Sequence, residues 1–138
     1  MIVYLDTSSL VKLYIEEDGS SQIDLLVQSS KFTATSLIAY AEARAAFSRR
    51  FREGAFVLDE YNYLKEVFDN DWSHYLVLNV TEAVIRLAGN LAEKHALRGF
   101  DSIHLASALI LRRELSTPTI FSCFDDKLKK ASEFEGLK

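Results

Sequence analysis

The sequence predicts an α/β domain: a mostly parallel sheet of four or five short strands flanked by helices. Three observations carry this. Short apolar runs alternate with segments of helical periodicity along the whole chain. The first run, Ile2 to Leu5, is apolar on both faces, as a buried parallel strand should be. Acidic residues recur where strands give way to helices, Asp6 and Asp125 among them. In open sheets of this kind, ligands bind beyond the carboxyl ends of the strands, at a topological switch point.

The elements follow in order. After Ile2–Leu5, Asp6-Thr-Ser-Ser9 leads into a short helical segment, Leu10 to Tyr14, and its hydroxyls can cap that helix. Glu16 to Gly19 is a solvated turn. A helix over Ser20/Ser21 to Ser29 turns Ile23, Leu26 and Val27 inward. Lys31 to Thr35 is the second strand, followed by a longer helix from about Ser36 to Arg52 that Gly54 ends. In the next helix Val57, Tyr61, Leu64, Phe68 and Trp72 form a wide apolar stripe. The two helices form a hairpin whose stripe is core surface or a groove for a partner helix.

Tyr75 to Val80 is the third strand. Thr81 caps a helix whose stripe is Val84, Leu87, Ala88, Leu91 and His95. Gly99 breaks that pattern and Asp101 stands where an N-cap belongs, opening a helix that ends near Arg112–Glu114. Pro118 punctuates, Thr119 to Phe124 makes the fourth strand, and Asp125-Asp126 starts the last helix. Phe134 to Leu137 can add an edge strand. Residues 1–138 read as one domain with a single sizeable core, without linker or repeat.

Composition narrows the function. Sixteen Lys and Arg against twenty Asp and Glu leave a net charge of −4, so bulk charge does not hold this chain to nucleic acid. A nucleic-acid substrate needs local basic residues, or cations that cancel part of the acid. Cys123 is the one cysteine, which excludes an internal disulfide and fits the cytoplasm. No uncharged run reaches the roughly 20 residues a membrane span needs, and Asp6 interrupts the apolar start too early for a signal peptide.

Asp6, Glu42, Asp101 and Asp125 are the candidate acids. Glu42 has Ile38, Ala45 and Ala46 as helical face-mates, an apolar neighbourhood in which a carboxylate needs a partner or a cation. Arg49, two turns on, is too far for a direct pair from an ideal position. Asp125 and Asp126 divide two tasks, capping the last helix and pointing at the strand edge; Asp125 is favoured for the second. Converging carboxylates repel, and a hard divalent cation relieves them. His74, His95, His104 and Cys123 are too scattered for a zinc site. Metal-activated water attacking a phosphodiester is the chemistry that fits, and no side-chain nucleophile is needed.

These residues carry a resemblance. Tyr4-Leu-Asp-Thr-Ser-Ser-Leu-Val-Lys-Leu-Tyr14, Ala41-Glu-Ala43, Arg98-Gly-Phe-Asp-Ser-Ile-His-Leu-Ala-Ser-Ala-Leu109 and Phe121-Ser-Cys-Phe-Asp-Asp-Lys-Leu128 resemble, in order, the four acidic motifs of the PIN-domain family, and specifically of VapC-type toxins. The resemblance covers nearly the whole chain. It implies the three-layer PIN-like fold and a Mg²⁺-dependent endoribonuclease (Mn²⁺ serving as well), with Asp6, Glu42, Asp101 and Asp125 as catalytic, metal-holding acids. Thr7 or Ser8 would then contact an acid or a metal-bound water. It also implies a cognate VapB-like antitoxin, an RNA substrate and a homodimer in the cytoplasm. Arg49, with Arg44, Arg50 and Arg52, is a candidate RNA contact. His104, at i+3 from Asp101, packs beneath the site or moves a proton. Cys123 departs from the family pattern, which often has Thr or Ser two residues before the last acid; Ser122 and Asp126 can compensate. That departure motivates a second reading, a non-cleaving module of the same fold that binds RNA or protein. An aspartate phosphatase using Asp6 is a third, opposed by Ser8 where a second Asp would stand.

Overall fold

The computed structural model describes residues 1–138. Four strands form the sheet: β1 Ile2–Leu5, β2 Phe32–Ser36, β3 Leu76–Leu78 and β4 Thr119–Ser122. All pairings are parallel, in the order β3-β2-β1-β4. Seven helices surround it: α1 Thr7–Val11, α2 Ser20–Gln28, α3 Ile38–Arg52, α4 Leu58–Trp72, α5 Glu82–His95, α6 Gly99–Leu115 and α7 Asp126–Phe134.

Strand alternation divides the interior into two cores. Ile2 and Tyr4 face one side and join α5, α6 and α7 through Ala88, Leu91, Leu105 and Leu128. Val3 and Leu5 face the other and join α1 to α4 through Leu10, Ile23, Phe47 and Phe68. The result is three layers, helix–sheet–helix, as expected. No helix is long and apolar enough to cross a membrane.

The helical hairpin of α3 and α4 is present, and its stripe is core. Phe47 and Phe68 are fully buried and meet edge to face at 5.2 Å, with Tyr14, Tyr40 and Trp72 around them. Only the Val57 end of the stripe is exposed.

The structure corrects several boundaries. The first helix starts at Thr7, straight after Asp6, and not at Leu10. The strands expected over Tyr75–Val80 and Thr119–Phe124 are shorter, Leu76–Leu78 and Thr119–Ser122. The C-terminal segment is not a fifth strand. It turns at Gly136 and buries Leu137, and the Phe121 amide donates to the Lys138 carbonyl at 2.9 Å. One hydrogen bond thus covers the outer edge of β4 without extending the sheet.

The sheet order places β1 at the centre. The chain leaves it towards β2 and β3, then returns to add β4 on its other side. The switch point therefore lies where β1 and β4 end, at Asp6 and just before Asp125.

Candidate active site

Asp6 follows β1 directly and is the N-cap of α1. Its Oδ1 accepts from the Ser9 amide at 3.0 Å and from the Ser8 hydroxyl at 2.7 Å. Beneath it, the Ser9 and Ser122 hydroxyls meet at 2.9 Å and tie α1 to β4. Only 5 % of Asp6 is exposed. Burial pushes its carboxyl above the usual range against the lowering effect of its two hydrogen bonds, and the Asp101 charge adds to the rise.

Glu42 lies on α3, half-buried. Thr7 Oγ1 donates to its Oε1 at 2.5 Å, and His104 Nε2 stands 3.1 Å from the same oxygen. His104 is 2 % exposed and lies beneath the site, with Nδ1 2.8 Å from the Tyr4 hydroxyl. Burial holds the Tyr4 phenol well above its ordinary pKa, so Tyr4 keeps its proton. In the tautomer with the ring proton on Nε2, His104 accepts from Tyr4 at Nδ1 and donates to Glu42. Half-burial alone would raise the Glu42 carboxyl; the bonds from His104 and Thr7 outweigh it and hold the group below the usual range. His104 is packed beneath the site with both ring nitrogens engaged, Nδ1 by Tyr4 and Nε2 by Glu42 and Thr7.

Asp101 is not the N-cap of its helix. Gly99 and Phe100 already belong to α6, the N-cap is Arg98, and Asp101 is the third helical residue. Gly99 therefore starts the helix where the sequence suggested a break. A carboxylate in the first turn is favoured by the helix dipole without accepting a capping bond. Asp101 Oδ2 accepts instead from Arg98 Nε at 3.1 Å.

Asp125 does both jobs that the sequence divided between two residues. Its Oδ1 caps α7, accepting from the Lys127 and Leu128 amides at 2.8 and 3.2 Å. Its Oδ2 lies 3.7 Å from Arg98 Nη2. Asp126 is exposed, lies in the first turn of α7, and lines a different cavity. Cys123 does not orient the acid: burial pushes its thiol up to about 12, and its sulfur contacts the Asp125 backbone carbonyl at 3.7 Å. The missing hydroxyl is replaced by the two amides of the helix cap.

Asp6, Glu42, Asp101 and Asp125 line one cavity of about 320 Å³ with Thr7, Ser8, Arg98 and His104. Next to it, a second cavity of about 590 Å³ runs from Glu42 along α3 past Arg49, Arg50 and Arg52. Arg50 is paired there with Glu17 at 3.3 Å, whereas Arg49 is exposed and carries no ion pair. Arg44 points elsewhere, onto the Tyr40 hydroxyl at 2.7 Å.

Each acid commits one oxygen to the fold or to Arg98 and keeps the other without a hydrogen bond. No buried side-chain nitrogen or oxygen lacks a partner. The unpartnered Asp6 Oδ2 must therefore reach the cavity. The donors are hard oxygens, and His104 is already engaged, which fits a hard divalent cation and not zinc. As the side chains stand, no three acidic, His or Cys groups converge closely enough to hold an ion. Arg98, between Asp101 and Asp125, occupies the cationic role. Tyr4 and Arg98 are the site residues that sequence reasoning gave no role, and Ser9 it read only as a helix cap. Arg98 had a signal, a basic residue three before Asp101 and so on the same helical face.

Comparisons with known proteins agree with this fold. The model of the PIN domain matches residues 3–133. Ribonuclease VapC45 of Mycobacterium tuberculosis is 37% identical over 108 residues, spanning 78% of this chain and 75% of that protein. A toxin-antitoxin complex from Klebsiella pneumoniae contains a chain of the same fold, with TM-score 0.60, 17% identity and coverage of 86% and 83%. So does VapBC2 from Rickettsia felis, bound to a DNA fragment from its promoter, with TM-score 0.64, 17% identity and coverage of 95% and 93%.

Proposed function

The chain belongs to the PIN-domain family, among its VapC-type members, and on that premise we propose that it is a Mg²⁺-dependent endoribonuclease acting as the toxin of a toxin–antitoxin pair. One observation carries the proposal: four carboxylates from β1, α3, α6 and the β4–α7 junction line a single cavity at the switch point of the sheet.

The protein's own residues set the chemistry. Ser8 and Ser9 fix Asp6, and the α7 amides fix Asp125, so both side chains are held before substrate arrives. His104 and Thr7 orient Glu42 and hold its carboxyl below the usual range. Arg98 is exposed at the rim and can turn from Asp101 and Asp125 to a phosphate. Arg49, which carries no ion pair, offers a second cation along the neighbouring groove. When bound among the acids, Mg²⁺ or Mn²⁺ supplies activation of water and neutralisation of phosphate charge.

The relatives named as ribonucleases support RNA as substrate, and the complex from Klebsiella supports an antitoxin partner. The same proposal takes residues 1–138 as one working unit, dimeric and cytoplasmic; light scattering of the purified chain tests the dimer.

The deciding experiment sequences RNA ends after induction of the wild type and of Asp101→Ala. Asp101 caps no helix, so its loss leaves the fold intact. New 5′ ends that need Mg²⁺, appear with wild type and vanish with the variant are expected. Equal cleavage by both proteins refutes the assignment. A folded wild type that binds RNA but never cuts it establishes the non-cleaving module instead.

A further inference from the structure

The rim of the acidic cavity carries one apolar feature that the acids do not explain. Phe100, the second residue of α6, is 60 % exposed and is the one apolar side chain lining a pocket of about 400 Å³ formed with Glu42, Arg98 and Asp101. It belongs to neither core and pairs with no other ring or cation. Single exposed apolar residues are common on protein surfaces, and Leu25 and Tyr63 are as exposed as Phe100. Position separates Phe100 from them: it directly precedes Asp101 in the chain and faces the same pocket as Glu42.

Phe124 lines the acidic cavity beside Asp125 and is differently equipped. It is 43 % exposed, Lys12 Nζ lies 4.4 Å from its ring centre, and its edge rests on Gly19. A Cβ at Gly19 would lie 2.7 Å from the ring, and the glycine has φ +94°, so this seat admits only glycine. Phe124 is thus held in place with a cation on its face, while the Phe100 ring has no partner.

We propose that Phe100 is a stacking platform for one unpaired nucleobase next to the scissile phosphate. The inference rests on the ribonuclease reading and goes beyond it by naming the residue that receives a base. Three features favour a nucleotide over a protein as occupant. The pocket joins an unpartnered aromatic face to a guanidinium, the pair that receives a base and its phosphate. The neighbouring groove continues with Arg49 and Arg52, a cationic path for a backbone. Apart from Gly99, the pocket's remaining lining is charged, which suits an anionic chain crossing to a cation site and not an apolar partner helix.

The test measures binding without cutting, in a chelating buffer, by anisotropy of a labelled, hairpin-free oligoribonucleotide and of its duplex. Phe100→Ala is expected to weaken single-strand binding on the order of 5- to 100-fold, the range for loss of one base stack. Phe100→Trp restores it and Phe100→Leu, with bulk but no ring, does not. A series of oligomers, each with one abasic nucleotide, locates the stacked base: one position weakens wild-type binding and has no further effect in Phe100→Ala. Unchanged affinity and an unchanged abasic profile overturn the inference. Loss of self-association or of antitoxin capture, with RNA binding intact, overturns it too and assigns the ring to a protein. If the wild type cuts RNA under Mg²⁺ while Phe100→Ala binds and cuts like it, only this inference fails; if the wild type neither binds nor cuts, the ribonuclease reading fails with it.

Discussion

Replacing Asp6 by Asn should stabilise the metal-free protein while abolishing its activity. Asp6 Oδ1 accepts from the Ser9 amide and the Ser8 hydroxyl, and the amide oxygen of Asn can accept both. The NH₂ group then replaces Oδ2, the oxygen that no protein group contacts. The cap survives and the desolvated charge is gone. Relieving such a functional-site cost is worth about 1–2 kcal/mol. For 138 residues the unfolding entropy converts each kcal/mol to about 3–4 °C of Tm. The expected gain is therefore about 3–8 °C at neutral pH in chelator.

The pH dependence identifies the cause. Burial raises the Asp6 carboxyl in the folded state, so the folded protein holds that proton more tightly than the unfolded chain does. Its contribution is fully present below the unfolded pKa and is lost as pH rises through the raised folded value. Asn has no such loss. The Tm difference between Asp6→Asn and wild type should be near zero in acid and widen towards neutrality. Added Mg²⁺ should raise the Tm of the wild type and narrow the gap, because binding to the folded state alone stabilises it. Asp6→Ala, which also loses the cap at about 1 kcal/mol, should melt below Asp6→Asn. Scanning calorimetry across pH tests this. A variant that melts below wild type at neutral pH in chelator, or a gap independent of pH, refutes the argument that Asp6 is a desolvated charge held for function.

Arg98→Gln should bind Mn²⁺ several-fold more tightly by titration calorimetry of the RNA-free protein, since Asp101 and Asp125 lose a competing cation; unchanged or weaker affinity would show that the guanidinium does not compete. His104→Ala leaves the Tyr4 hydroxyl and Glu42 without their shared partner, and should cost about 2–4 kcal/mol in urea unfolding. His104→Gln, which keeps a donor and an acceptor, should recover part of that, and equal losses for both would place the cost in packing and not in the hydrogen bonds.

The strand-to-helix rule made two of the acids readable. In a parallel sheet every strand ends on the same edge, so an acid just past β1 and another just past β4 share a side whatever the helices do. Asp125 lies three residues beyond β4 and not one, yet the short strand and its loop still bring it to that edge. Glu42 was readable from its apolar face-mates, though Ala45 is exposed and Ala46 half-buried; α3 packs on α1 through the buried Ala39 and Ala43, and Thr7 meets the carboxylate there.

Asp101 shows why local rules stop short. Cap preference is worth about 1 kcal/mol, and the start of α6 follows other interactions. Ser102 Oγ returns to the Arg98 carbonyl at 2.9 Å, and Ser102 to Ala108 are buried, so the helix begins a turn earlier than its best capping residue. The Tyr4–His104–Glu42 chain has no local signature at all. Its members stand 100 and 62 positions apart, and nothing in the periodicity of β1 marks Tyr4 as more than a core residue.

The same division explains why the acids were legible and the competing cation was not. Asp6 and Asp125 each do a structural job that any α/β turn could need, and their patterns carry that job's signal. Their second oxygens have no structural job, so no propensity encodes them. What encodes them is cost: burial raises the Asp6 carboxyl against the hydrogen bonds that favour its charge. A site of this kind is found by asking which polar atom the fold leaves unsatisfied. In this chain the answer is one carboxylate oxygen each from Asp6, Glu42 and Asp101, with Asp125 Oδ2 lent to an exposed arginine that a divalent cation can displace.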